Sequence, residues 1–425
     1  MNRINDRGSG ASKNRIDRLV ERLCPDGVKH RNLGALGEFV RGNGMEKSDL
    51  ISSGVGAIHY GQIHTLYGTW TNHTESFISE ETALRMRKAQ PGDLVVVTTS
   101  EDDNSVAKAV AWVGEHEIAV SGEIHIYRHT LDAKYAAYFF QTEQFHSQKR
   151  RYITGTKVRR ISGVNLEKIE IPVPPLEVQQ EIVKILDTFT ELEAELEAEL
   201  EARRKQYQHY RDALLSFDER GIGASKQASK QASIRWTTLG EIASYSKIRV
   251  PSSDLNDESF VGVDNLLPEM RGKVDSTHTP STGTSIAYET GDVLIGNIRP
   301  YLKKIWLADS SGGTNQDVLV VRIHEAEHAA ITPKFLYYTL ASDDFFAYGM
   351  QHAKGAKMPR GDKAAILRYP VAIPAKEEQN RIVATLDKFD ALVNDLSSGL
   401  PAEINARRKQ YEHYRDKLLT FKQAA

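Results

Sequence analysis

Two kinds of stretch carry residue types and spacings that could do chemistry. The first is His324-Glu325-Ala326-Glu327-His328, an HExxH spacing. On an α-helix that spacing puts two imidazoles on one face for a zinc ion and leaves the glutamate as base. Here the segment follows an apolar strand-like run and precedes Pro333. A loop is expected there, which does not align the two rings. The second kind is a short basic segment with a glycine in it, TGTKVRR at 154–160 and KGAKMPR at 354–360. Lysine and arginine pair with phosphates, and arginine also reads guanine O6 and N7 with two hydrogen bonds. Glycine lets the backbone come close to a ligand. One such loop is ordinarily a solvated basic turn. Two, in equivalent places, point to nucleic acid. Lys157, Arg159, Arg160, Lys354, Lys357 and Arg360 are the candidate phosphate or base contacts. Gln62, Asn72, Ser100, Asn104, Asn265, Asn297, Arg299, Lys303 and Gln316 are candidate polar readers in other loops, each equally suited to a turn. No GxxxxGK[ST] phosphate loop, strand–GxGxxG–helix or [ND]PPY signature occurs, and Pro174-Pro175 is followed by leucine. The residues therefore describe a binder without a catalytic centre.

These segments are equivalent because the chain uses one plan twice. ARRKQYQHYRDALLSF (202–217) and ARRKQYEHYRDKLLTF (406–421) are identical at thirteen of sixteen positions. Upstream, LEVQQEIVKILDTF (176–189) aligns with KEEQNRIVATLDKF (376–389), and Gly155, Lys157 and Tyr138 align with Gly355, Lys357 and Tyr338. The offset changes from 200 to 204 between the two matches, a step of four residues. LGEIA (239–243) echoes LGEFV (36–40), and TNQDVLVVRI (314–323) echoes VSGEIHIY.

The elements that must position the loops follow from periodicity. LVVVT (94–98), EIHIY (123–127) and GDVLIG (291–296) read as strands, and 133–147 and 332–346 as single helices. YGQIHTLYG (60–68), TWTNHTES (69–76) and TTSEDDNS (98–105) read as polar loops. Residues 14–24 form a short amphipathic helix with Ile16, Leu19, Val20 and Leu23 on one face, ended by Pro25. A long helix starts after Pro174-Pro175 and runs to 217, with an apolar seam from Val178 through Leu200 to Phe217 that packs on another helix. Its centre is a tandem ELEA repeat. A second long helix over 375–421 should kink or break at Ser398-Gly399-Leu400-Pro401. The seam needs only Tyr207, Tyr210, Leu214 and Phe217. Identity at Arg203, Arg204, Lys205, His209, Arg211 and Asp212 therefore suggests two identical docking sites for one partner. The candidate docking residues are Arg203, Arg204, Tyr207, Tyr210, Arg211 and their counterparts Arg407, Arg408, Tyr411, Tyr414, Arg415.

The expected fold class is α+β: two globular recognition domains joined by a pair of long antiparallel helices. The expected segments are an N-terminal arm (1–29), a first recognition domain (30–172), a central helix (173–217), a linker containing a duplicated ASKQ (218–234), a second recognition domain (235–370) and a C-terminal helix (371–425). At 425 residues with 40 % apolar content, the chain supports two or three cores. Its net charge of −2 hides segregation: 187–201 holds seven acidic and no basic groups, whereas 146–170 and 354–368 are locally +5 and +4. The single cysteine, Cys24, excludes an internal disulfide. With no apolar run near eighteen residues and no apolar N-terminal core, a cytoplasmic protein without membrane contact is expected.

This arrangement closely resembles the specificity subunit of type I restriction–modification systems. The resemblance rests on the two PPLEVQQEI-like helix starts, the two RRKQYxxYRDxLL ends, and LCPDGV (23–28) and GLPAEI (399–404). It covers nearly the whole chain, and ELEA looks like the tetrapeptide repeat of the type IC subfamily. The resemblance implies that each variable block reads half of a bipartite, asymmetric double-stranded DNA site, and that the helices set the spacer. It further implies that two methyltransferase subunits dock on the chain, carrying S-adenosylmethionine and methylating adenine N6, and that ATP- and Mg-dependent restriction subunits join them. No cofactor is implied in this chain. The ASKQ linker has no counterpart in the resemblance. The reading from another class is a helical scaffold pairing two proteins with no DNA role.

Overall fold

The structure, a computed structural model, describes residues 15–217, 234–394 and 399–424. The ASKQ linker and Ser398 lie outside them. By contacts the chain divides into two units, 1–195 with 404–425, and 196–403.

In the first unit a five-stranded sheet runs in the order Gly37–Arg41, Ile124–His129, Leu94–Val97, Ala109–Trp112, Trp70–Thr71, antiparallel except for the last pair. Leu94–Val97 is buried on both faces, as its unbroken apolar run requires. Leu94 and Val96 enter the main core with Tyr127, Tyr135 and Tyr138, whereas Val95 and Val97 face a second core with Trp112 and Ile126. A four-stranded sheet, Ser76–Ile78, Val55–Ile58, Ile118–Val120, Lys88–Ala89, lies beside it in sequence and contact. The second unit repeats the main sheet as Ala243–Tyr245, Val318–Ile323, Val293–Gly296, Ile305–Leu307. Its other sheet runs Arg249–Pro251, Thr284–Tyr288, Gly312–Thr314, Phe260–Val261.

Each expected single helix is two. Ala133–Phe139 and Glu143–Lys149 are separated by Thr142, whose hydroxyl donates to Phe139 O at 2.7 Å and accepts from Phe145 N at 3.2 Å. Ser342 separates Pro333–Leu340 from Asp343–Gln351 in the same way. A hydroxyl that caps one helix while closing the previous one is a local device that apolar periodicity does not reveal. YGQIHTLYG is not all loop: Tyr60–Thr65 is a short helix, capped by His59. The echo of LGEIA also shifts register. Leu239 N and Gly240 N bond Tyr369 O and Leu367 O, and Leu33 N and Gly34 N bond Ile169 O and Glu167 O. The counterpart of LGEIA therefore begins at Leu33, not Leu36.

The central helix spans Leu176–Leu215. The C-terminal helices span Lys376–Asn394 and Leu400–Leu418, with Gly399 in a bend and Pro401 in the first turn of the latter, where its missing N–H costs nothing. In the first unit the two long helices run antiparallel: Phe189 stacks on Tyr414 at 5.6 Å, and Glu193, one turn on, meets Arg408, earlier in the chain than Tyr414. In the second unit Tyr207 and Tyr210 stack on Phe389 at 6.3 and 5.3 Å. Each repeat motif thus packs within the unit that holds the other repeat's globular block. The helix over 15–23 buries Ile16 in the first core and pairs Arg15 and Arg22 with Glu181 and Glu177, while Leu23 stays exposed.

The globular blocks are seated on the helices by one duplicated set of bonds. Gln179 is 4 % exposed; it accepts from Asp132 N and donates to Pro174 O. Gln379, fully buried, does the same with Thr332 N and Pro374 O. Asp187 accepts from Tyr138 Oη at 2.7 Å and pairs with Lys134; Asp387 accepts from Tyr338 Oη at 2.6 Å and pairs with Lys334.

Candidate nucleic-acid interface

The two basic segments fold as the same hairpin. Thr154 and Arg160 exchange backbone hydrogen bonds of 2.9 and 2.8 Å, and Lys354 and Arg360 exchange two of 2.9 Å. Gly155 and Gly355 turn them at φ +90° and +101°, left-handed values that a glycine adopts without steric cost. At Gly155 a Cβ would lie 2.1 Å from Val158 O. Exposure runs in the same pattern along 151–160 and 351–360, with Val158 and Met358 exposed at the tips. Each hairpin lies on the end of a core strand. Arg159 and Arg160 pair with Ser100 and Thr99, while Arg360 bridges Ile298, and Arg299 N donates to Pro359 O at 2.7 Å. Ser100 therefore joins Arg159 and Arg160, and Asn297 and Arg299 join Lys354, Lys357 and Arg360.

Carboxylates sort these cations. Arg159 pairs with Asp103 at 2.8 Å, Lys354 with Asp362 at 2.9 Å and Arg360 with Asp317 at 2.9 Å. The Lys354 bond is the main reason the Asp362 carboxyl is held down at about 2. Lys157, Arg160, Lys357 and Arg299 have no such partner among the described residues, and all four are exposed. Lys149, counted in the first basic segment, is not on the surface. It is 1 % exposed and donates to Asn104 O and Val106 O, holding the 99–107 loop from beneath; burial lowers its ammonium to about 8.

Several candidate readers are committed internally. Gln62 closes its own helix cap, accepting from His59 N and donating to Ser76 Oγ. Asn265 accepts from Gly262 N and donates to Asp275 O. Lys303 lies between Asp343 and Glu269 at 3.0 and 3.6 Å. Asn297 is 7 % exposed, under Gly361. Asn72, Asn104 and Gln316 are exposed, Asn72 with its amide oxygen against His73 Nδ1. Sequence reasoning passed over Tyr60 and His64, which line a 570 Å³ groove with Ser100 and Arg160, and over the exposed Tyr301 beside Arg299. No sequence signal marks them, because strand pairing brings them to the hairpins.

The repeat motif is more deeply engaged than its outward positions suggested. Arg211 is 2 % exposed, its guanidinium near Tyr207, Asp212 and Met270 Sδ. Arg415 lies over Tyr411, whose hydroxyl donates to Gln141 Oε1, and burial pushes that phenol up to about 12. The three differences between the copies, Gln208/Glu412, Ala213/Lys417 and Ser216/Thr420, all fall at exposed positions. Equivalent packing thus accounts for much of the identity. Arg203 and Arg407 contact Gln206 and Gln410 one turn on, and Arg204, half-buried, lines a 240 Å³ cavity with Arg211 and Arg271. Lys205/Lys409 and His209/His413 remain exposed and identical on one helix face in both copies; Tyr210 is exposed, and Tyr414 half-buried.

A family model for the type I restriction modification DNA specificity domain matches residues 25–202 and 237–406, one match for each copy of the plan. The chain belongs to this family. Membership assigns it to the specificity component of such systems, not to a catalytic one. The type I restriction enzyme EcoR124I/EcoR124II specificity subunit of Escherichia coli is 32 % identical over 278 residues, covering 61 % of this chain and 65 % of that protein's length. A crystal structure of the type I restriction-modification S subunit from M. genitalium has the same fold at 15 % identity and TM-score 0.51, covering 92 % of this chain and 96 % of that one. A chain from a structural study of type I system assembly and conformational transition matches at 16 % identity and TM-score 0.58, over 92 % and 97 %.

The HExxH segment does not form the α-helix that a zinc site of this spacing needs. Glu325–Glu327 is one 3-10 turn, and Glu327 is engaged by Arg235. Among the described residues no group of three His, Cys, Asp or Glu side chains is placed to hold a metal, and no helix is long and apolar enough to cross a membrane.

Proposed function

We propose that the two units read the two halves of a bipartite, asymmetric double-stranded DNA site, each through its basic hairpin and the strand end beneath it. The observation that carries this reading is the duplicated hairpin, with unpaired cations at equivalent places, Lys157 and Lys357, on an otherwise near-neutral chain. The exposed lysines and histidines of the repeat motifs, with Arg203, Arg204, Arg407, Arg408 and Tyr210, form the docking faces for two methyltransferase subunits. Those subunits bind S-adenosylmethionine and methylate adenine N6 in a base flipped from the stack. ATP- and Mg-dependent restriction subunits complete the assembly. The tandem ELEA unit supports a type IC-like spacer, and the likeness to the EcoR124I/EcoR124II subunit agrees with it. The protein works in the cytoplasm, where its DNA is.

A single-molecule map of adenine methylation in the host, with and without the gene, tests this. Loss at one bipartite motif is the expected result and supplies both half-sites and the spacer. An unchanged map, together with complex formation and DNA binding that do not weaken with salt, would favour a scaffold without a DNA role, because phosphate contacts release counterions.

A further inference from the structure

Resting on the DNA reading above, we infer that Arg299 is the residue of the second unit that reads a base, and that the base is a guanine. Three observations meet at this side chain. Its backbone is left-handed, φ +52° and ψ +59°, a conformation uncommon for any residue with a Cβ. Glycine would sit there without strain, and residues held in such regions cluster where a ligand is gripped. The strained backbone is locked from both sides. Arg299 N donates to Pro359 O at 2.7 Å, Leu302 N donates to Arg299 O at 2.9 Å, and the buried Pro300 opens the following turn. The side chain is thereby presented from a fixed root, which lowers the entropy lost on binding.

The second observation concerns charge. Around the hairpin, Lys354, Arg360 and Lys303 each carry a carboxylate partner, and Arg299 and Lys357 carry none. Arg299 is exposed, and its guanidinium makes no hydrogen bond within the described residues. Its function therefore lies outside the protein. The third is position. Arg299 is bonded directly to the hairpin strand, whereas Lys357 stands at the hairpin turn. A planar fork on a fixed root suits bidentate recognition of guanine O6 and N7, whereas an ammonium on a turn suits a phosphate. The first unit has Ser100 and Glu101 after the corresponding strand, so the two half-sites are read by different chemistry.

The test is selection from randomised duplexes by the full-length chain at two salt concentrations, for wild type and three variants. Wild type is expected to select one guanine whose replacement weakens binding roughly 5- to 150-fold. Arg299→Lys and Arg299→Gly are expected to lose that preference and keep the others; glycine accepts the backbone angle, so its folding is not in question. Lys357→Ala is expected to weaken all sequences alike and to reduce the salt slope by about 0.9. Salt-dependent binding whose preferences survive Arg299→Lys and Arg299→Gly would overturn the assignment of Arg299 alone. Wild-type binding with no salt dependence would overturn the DNA reading, and this inference with it.

Discussion

Asp187 and Asp387 occupy the same place in the two repeats and should not be equally important. Asp187 receives three donors: Tyr138 Oη at 2.7 Å, Lys134 Nζ at 2.7 Å and Trp70 Nε1 at 3.1 Å. It is 18 % exposed, Tyr138 is fully buried, and Lys134 also lies 3.5 Å over the Trp70 ring. Among the described residues Asp387 receives Tyr338 and Lys334 only, and that ion pair is 36 % and 47 % exposed. Removing Asp187 strands the Trp70 indole and leaves Tyr138 with only Thr190 Oγ1 at 3.3 Å. A buried donor that loses its partner costs about 1–3 kcal/mol; with the half-buried Trp70 indole stranded, the buried Tyr138 hydroxyl left with its longer bond and the mostly buried Lys134 pair lost, Asp187→Ala should destabilise the first unit by about 3–4 kcal/mol. Asp387→Ala strands one donor, and its exposed ion pair adds little; about 1–2 kcal/mol is expected. In a unit of this size the two changes should lower the transition temperature by roughly 6–16 °C and 2–8 °C. Differential scanning calorimetry of the full chain, supported by urea melts, measures both. Asp187→Asn, which keeps an oxygen acceptor, should recover about half of the loss. A larger loss for Asp387→Ala than for Asp187→Ala would refute the idea that donor count at this joint sets how firmly each globular block is seated.

Gly155→Ala should weaken DNA binding more than Gly355→Ala, because the new Cβ meets Val158 O at 2.1 Å in one hairpin and Met358 O at only 3.4 Å in the other; equal effects in a binding titration would count against the hairpin geometry. Burial lowers His125, His129 and His146 of the first unit to about 4. The unfolded chain binds those protons first, near 6.5, so stability should fall as pH drops from about 6.5 to 4, by a few kcal/mol on the order of magnitude. A urea midpoint series should show this slope, flattened in His129→Leu; a slope that is flat in wild type refutes it. Deleting Glu195–Ala198 removes one four-residue unit, about 6 Å of helix, and should shorten the spacer of the methylated motif by one or two base pairs of ~3.4 Å without altering either half-site. An unchanged spacer would refute the helix as ruler.

What the residues alone determined was the plan. A repeat of sixteen residues with thirteen identities, an apolar seam and unbroken runs such as LVVV are local facts, and they yield the two-fold organisation, the long helices and the core strands. The glycines at 155 and 355 marked the two basic loops as equivalent, but that each loop is a hairpin on a strand end came only from its backbone pairing. Identity at Gln179/Gln379 and Asp187/Asp387 was also visible in the alignment, though not its meaning. Tertiary structure decided which charges are free. Lys149 and Arg211 have the same chemistry in sequence as Lys157 and Arg160, yet two are buried against carbonyls, rings and sulfur and two stand in solvent. It also decided that His59 to Thr65 is a capped helix, that Thr142 and Ser342 split two helices, and that the echo of LGEIA starts at Leu33. Each depends on a partner far along the chain or on one side-chain bond. Hydrophobic periodicity averages over many residues and records burial; it does not record which single donor finds which acceptor.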